Sequence, residues 1–168
     1  MKSLFKKITY VGVSPPRASL KHIIWSWFGS AIAISAIAWT AYQSHAPILF
    51  APLGASAVLA FAAFESPLAQ PRNIVGGHLV SAITGVIFLL LLGNAWWVAP
   101  FAVATAIAAM MLSKTVHPPA GANPILVIMA GLQWDFVINT VLPGSLLLTL
   151  SALIFNNVVN GRKYPFYW

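Results

Sequence analysis

Cysteine is absent from the 168 residues, and only two residues are acidic. Without thiols, disulfides and thiolate chemistry are excluded, and the chain carries no mark of its redox compartment. Glu65 and Asp135 lie too far apart in sequence for a carboxylate pair. With four scattered histidines they make no metal-ligand spacing, so no metal and no cofactor is expected. Charge of either sign is scarce. Asp, Glu, Lys and Arg make up 7% of the chain, against about 25% in soluble domains. At 60% hydrophobic residues, the sequence is not that of an ordinary soluble globule. A net charge of +7 is one mark of nucleic-acid binders, but here the positions of the basic residues point to a lipid bilayer instead.

Those positions divide the chain. Uncharged runs of 43, 41, 20 and 26 residues separate Lys21, Glu65, Arg72, Lys114, Asp135 and Arg162. A membrane span needs about 20 residues. The runs therefore hold two, two, one and one spans, with Gln43-Ser44-His45-Ala46-Pro47 and Gly93-Asn94-Ala95-Trp96-Trp97 as the turns inside the long ones. Expected spans are 23–42, 48–64, 74–92, 98–113, 115–133 and about 136–156. With six crossings all nine Lys and Arg fall on one side, so both termini are expected in the cytoplasm of a multi-pass inner-membrane protein. Trp25, Trp27, Trp39, Tyr42, Trp96, Trp97 and Trp134 lie near span ends, where amphipathic rings favour the interface. Residues 1–22 form a basic cytoplasmic segment without the apolar core of a cleaved signal, so span one is expected to serve as the targeting signal. Leu4, Phe5 and Ile8 within it fit either a surface-lying helix or a tail. Residues 23–160 form one transmembrane domain, and residues 161–168 a cytoplasmic tail.

The fifth span cannot be helical throughout. It carries Thr115-Val116-His117-Pro118-Pro119-Ala120-Gly121-Ala122-Asn123-Pro124-Ile125. Three prolines lack backbone donors and push their predecessors out of helical geometry. Irregular backbone at membrane depth survives only where protein buries it or water lines it. A weaker copy lies 67 residues earlier: Pro52-Leu53-Gly54-Ala55-Ser56 aligns with Pro119-Ala120-Gly121-Ala122-Asn123. At the same offset Gly77 aligns with Gly144 and Leu79 with Leu146. The repeats, about 23–92 and about 97–156, each hold three spans, so the second is inverted relative to the first. The expected fold is an all-α membrane protein of six segments in two inverted three-segment repeats, the second segment of each a broken or half helix. Inverted repeats with interrupted helices are a pattern of transporters.

Asn123 followed by Pro124 reads as an N-cap and first helical residue, with Ser56 in the matching place. Two half-helices starting near mid-membrane would aim free amides and dipole ends at one cavity, which suits a small anion. The expected binding residues are Gly54, Ala55, Ser56, His117, Gly121, Ala122 and Asn123. His117 either donates to the ligand or fixes its turn, and His78 either lines the path and relays protons, together with His117, or bonds a nearby carbonyl. Lys114 and Arg72 either draw anions to the inner mouth or only set orientation. Glu65 is expected to pair with Arg72, Asp135 to cap the sixth helix, His22 to lie at headgroup level and His45 at the outer interface. No residue singles out one serine as a nucleophile, so no catalytic residue is assigned and an enzyme is not expected.

His117-Pro118-Pro119-Ala120-Gly121-Ala122 resembles the signature of the HPP family of integral membrane proteins. Gln70-Pro71-Arg72-Asn73 with Gly76-Gly77-His78 is similar to its second block, and the similarity covers most of residues 20–160. The resemblance implies a compact helical membrane domain. It also implies nitrite as substrate, since members in chloroplasts and cyanobacteria are associated with nitrite transport, and some relatives carry soluble C-terminal regulatory domains. The expectation is thus a transporter or channel for a small inorganic anion, nitrite by resemblance, in a homo-oligomer with one path per subunit. The alternatives are a non-transporting membrane scaffold or sensor and, third, a membrane-embedded enzyme.

Overall fold

A computed structural model describes residues 13–45 and 51–168. The basic segment's Leu4, Phe5 and Ile8, the turn residues Ala46 and Pro47, and the first residues of the second segment lie outside the described residues. The described residues form helices joined by turns and irregular stretches, with no strand among them. Helix α1 is Leu20–Ser44, capped by Ser19, whose hydroxyl accepts from the His22 amide at 3.2 Å. Helix α2, Ala51–Ala57, widens into a π turn, Val58–Ala62. A 3-10 turn, Pro67–Ala69, leads into α3, Pro71–Leu92, with Pro71 where a missing amide costs nothing. Helix α4 is Val98–Leu112. A second 3-10 turn, Pro118–Ala122, runs into α5, Asn123–Ala130, which ends at Gly131 in left-handed geometry, φ 65°. The last segment is α6, Trp134–Phe136, a π turn, Val137–Val141, and α7, Leu142–Val158. Pro143 has no N–H for the carbonyl one turn back, and the helix widens just before it.

The apolar segments sit where charge spacing puts them. Leu20–Ser44, Pro71–Leu92 and Trp134–Val158 are long and apolar enough to cross a bilayer. Ala51–Ala62, Val98–Leu112 and Pro118–Ala130 are shorter. Helix α3 is central and packs against α4, α5 and α7, while α1 lies along α7. The core holds Ala33, Ile37, Leu53, Phe61, Val86 and Leu148. Large apolar side chains such as Leu91, Leu112, Met129 and Val158 are exposed, as lipid-facing residues must be.

Four sequence expectations need correction. Helix α2 is already formed at Ala51, so Ser56 is inside it rather than at its start. Asn123 is in helical geometry, φ −61° and ψ −45°, because the 3-10 turn feeds straight into α5; its side chain caps nothing. Asp135 lies in the first turn of the last segment, behind Gln133 as N-cap. Arg72 donates to the Ser113 carbonyl at 3.0 Å instead of pairing with Glu65.

One end of the bundle is tied by side chains that meet the carbonyls left open where the first π turn stops. Asn156 Nδ2 donates to the Ala60 carbonyl at 2.9 Å, and Ser26 Oγ to Phe61 at 2.8 Å. His22 Nε2 bonds the Ala62 carbonyl at 2.9 Å, so His22 is a structural link and not only a headgroup-level residue. Arg162 joins them all. Its guanidinium donates to Phe61 O at 3.0 Å, Asn156 Oδ1 at 3.0 Å, His22 O at 3.2 Å and Ser26 Oγ at 3.1 Å, and lies 4.9 Å above the Phe64 ring. Partial burial pushes the guanidinium below its ordinary pKa. The residues after α7 are likewise docked: Tyr164 donates to the Ala69 carbonyl at 2.7 Å, and Phe166 N to Gln70 Oε1 at 2.7 Å. Arg162→Met is expected to lower stability by about 3 kcal/mol, given 1.5–3 kcal/mol for hydrogen bonds to charged groups. Arg162→Lys restores little, because an ammonium lacks the fork. Thermal unfolding in detergent measures both.

Candidate functional site

The buried polar groups converge where the fifth segment breaks. His117 is extended, φ −139° and ψ 103°, because Pro118 follows it. That places its ring inward against α3, where Gly77 leaves room. A Cβ at Gly77 would lie 2.6 Å from His117 Cβ and 2.7 Å from the Thr115 carbonyl oxygen. Neighbouring positions on the same face of α3 hold the break. Asn73 Nδ2 donates to the Val116 carbonyl at 2.8 Å, Ser81 Oγ donates to the Ala120 carbonyl, and Gly85 lies against Pro124. Two carbonyls of the break, those of Val116 and Ala120, are thus met by α3 side chains, which suits irregular backbone at membrane depth.

At the centre are Ser56, His78, His117 and Asn123, each fully buried. Ser56 Oγ lies 2.8 Å from His78 Nε2 and 2.8 Å from His117 Nε2. It also donates to the Pro52 carbonyl one turn back, at 3.0 Å. His117 Nδ1 is 2.8 Å from the Leu68 carbonyl in the turn before α3. Asn123 Nδ2 donates to His78 Nδ1 at 3.1 Å and to the His78 carbonyl at 3.0 Å. The two imidazoles meet edge to face, centroids 5.1 Å apart. Ser56 and Asn123, aligned by the sequence offset, thus hold opposite nitrogens of one ring. Asn123 Oδ1 is buried and has no hydrogen-bond partner among the described residues, which costs about 1–3 kcal/mol wherever it persists.

The other expected site residues lie outside this cluster. Gly54, Ala55 and Ala122 are exposed and Gly121 is half-buried. A Cβ at Gly54 or Gly121 meets nothing within 4 Å. Helix α2 packs against the 3-10 turn, so these small residues belong to adjoining elements. Arg72 and Lys114 are exposed at the end where α3 starts and α4 stops. Sequence reasoning missed the bonds from Ser56 to both histidines and the role of α3. The signal for α3 was there: Asn73, Gly77, Ser81 and Gly85 recur every four residues, small or polar, on one helical face.

A family model described as "HPP, transmembrane region" matches residues 15–165. The chain belongs to the HPP family. It is thereby an integral membrane protein, and the two HPP sequence blocks are the two sides of one contact, the break and the α3 face that holds it. Two Dictyostelium discoideum proteins described as transmembrane proteins are similar. One is 42% identical over 98% of this chain and 57% of its own length; the other is 34% identical over 92% and 58%. The chain thus spans less than two thirds of the length of these relatives. No solved structure matches.

Proposed function

We propose that this HPP protein carries a small monovalent anion, nitrite by resemblance, across a membrane, and that the Ser56–His78–His117–Asn123 cluster is where the anion is handled. The observation that carries the reading is the cluster itself: four fully buried polar side chains from α2, α3, the break and α5, at the point where two short segments meet. Polar groups at membrane depth are expensive and mark substrate or ion paths. Gly54, Ala55, Gly121 and Ala122 give the approach a surface free of bulky side chains. Arg72 and Lys114 supply positive potential at the inner mouth.

In this reading all six segments cross, as two inverted repeats, with both termini in the cytoplasm of an inner membrane. Hydrogen bonds support the alternation. They join the start of α1, the end of the first π turn and the end of α7 through Arg162, and the start of α3 to the end of α4 through Arg72. The small crossing number favours a homo-oligomer with a separate path in each subunit. The test is osmotic swelling of proteoliposomes in nitrite, nitrate, formate and chloride salts. Protein-dependent entry of at least one anion, tenfold above empty vesicles, is the expected result; vesicles that stay tight to all four would refute transport.

A second reading has one observation behind it. Ser56 Oγ and His117 Nε2 are at hydrogen-bond distance, with His117 Nδ1 held by a carbonyl, the arrangement of an activated serine. A membrane hydrolase predicts that a fluorophosphonate probe labels Ser56; the transporter reading predicts no labelling, because there the Ser56 hydroxyl is a hydrogen-bond partner of the two histidines and not a nucleophile.

A further inference from the structure

Hydrogen-bond roles in the cluster can be assigned atom by atom. Asn123 Nδ2 only donates, so His78 Nδ1 is a bare acceptor and the ring hydrogen is on Nε2, donating to Ser56 Oγ. The Leu68 carbonyl only accepts, so His117 carries a hydrogen on Nδ1. Ser56 Oγ then has three neighbours within 3.0 Å: His78 Nε2, His117 Nε2 and the Pro52 carbonyl. A hydroxyl offers one hydrogen and two lone pairs. While His117 is neutral, its bare Nε2 and the Pro52 carbonyl compete for that single hydrogen.

One added proton removes the competition. Placed on His117 Nε2, it donates to Ser56 Oγ, and the hydroxyl hydrogen turns fully to the Pro52 carbonyl. Both lone pairs then accept from a ring and the one hydrogen meets a carbonyl. No heavy atom moves, and loss of the proton reverses the rotation. The geometry points to an exchangeable proton site at His117 Nε2, so that one proton crosses with each anion. This deepens the anion-carrier reading and rests on it.

The surroundings agree. From α3 the titratable group facing His117 is His78; α2 presents Ser56 and the Pro52 carbonyl, the turn before α3 the Leu68 carbonyl, and α5 Asn123. Arg72 is turned to Ser113, and Lys114 is exposed. The cluster is therefore rich in acceptors and holds no formal charge among these groups; the unpartnered Asn123 Oδ1 adds to the excess. A bare anion is poorly matched to such a setting, whereas an anion beside a protonated imidazole brings no net charge into the low-dielectric interior.

The experiment uses proteoliposomes loaded with a pH-sensitive dye and given an inward sodium nitrite gradient. Protein-free vesicles supply the background from nitrous acid crossing bare lipid. Nitrite entry is expected to acidify the lumen, to speed up with an inward proton gradient and to ignore a potassium diffusion potential. Entry that follows the potential with unchanged lumenal pH overturns proton coupling and leaves the anion reading standing. Absence of protein-dependent entry removes both. His117→Gln keeps hydrogen-bonding capacity but takes no proton, and is expected to cut protein-dependent acidification at least tenfold. Wild-type acidification in that variant overturns the assignment to His117. Should the variant not fold, the response of the wild-type protein to the potassium potential decides alone.

Discussion

Gly77→Ala is expected to unfold or severely loosen the protein, while Gly54→Ala leaves it as stable as before or slightly more so. The two glycines occupy helices and differ in what a methyl would meet. At Gly77 it would lie 2.6 Å from His117 Cβ and 2.7 Å from the Thr115 carbonyl oxygen, and the second is backbone. Relief requires α3 and the break to separate, which also draws His117 away from Ser56. Overpacking of this kind costs about 1–3 kcal/mol, and loss of a buried hydrogen bond adds about 1 kcal/mol or more. At Gly54 the methyl meets nothing within 4 Å, so helix propensity favours alanine by up to about 1 kcal/mol. Thermal unfolding of both variants in one detergent gives the comparison. Equal melting temperatures would mean that α3 and the break are not in the close contact described.

Ser56→Ala is expected to reduce protein-dependent nitrite entry at least a hundredfold, roughly 2.7 kcal/mol in barrier terms. The change deletes one oxygen, yet both imidazoles lose their Nε2 partner together. Each buried hydrogen bond lost costs about 1 kcal/mol, so a fall in melting temperature accompanies the loss. A structural role alone would lower stability without a matching loss of entry per folded molecule. Entry normalised to the monodisperse fraction separates the two. Ser145, also fully buried, is the comparison, because among the described residues its hydroxyl bonds the Leu142 carbonyl of its own helix and no histidine: Ser145→Ala is expected to leave entry within threefold of wild type.

Much of the architecture was legible because charge is so rare. Each Lys, Arg, Asp or Glu in the body of the chain lies near the end of a segment, and the helices stop within a few residues of the expected limits. The break at His117 followed from proline chemistry alone. The helix starts did not. Ser56 reads as a cap when matched to Asn123, but Ala51, Pro52 and Leu53 ahead of it are already helical, and nothing in a serine distinguishes capping from bonding across a bundle. The meeting of Ser56, His78 and His117 was illegible for a different reason. It joins residues 22 and 61 positions apart, and no local pattern carries a distance of that kind. The histidines stood out as polar groups in an apolar chain and Ser56 as the match of Asn123, but nothing local set that serine between the two rings. The role of residues 161–168 was also missed, because Arg162 and Tyr164 look like an ordinary basic tail until the carbonyls they meet are in place.

The central claim is that the anion is handled at the buried cluster. It is tested most directly by solid-state NMR of the protein in bilayers, with histidine and asparagine side chains labelled with nitrogen-15, before and after nitrite is added. The account predicts that the His117 ring and Asn123 amide signals shift in a saturable way, while those of His22 and His45 stay in place. Unchanged His117 and Asn123 signals in vesicles that take up nitrite would contradict it and put the path elsewhere in the bundle.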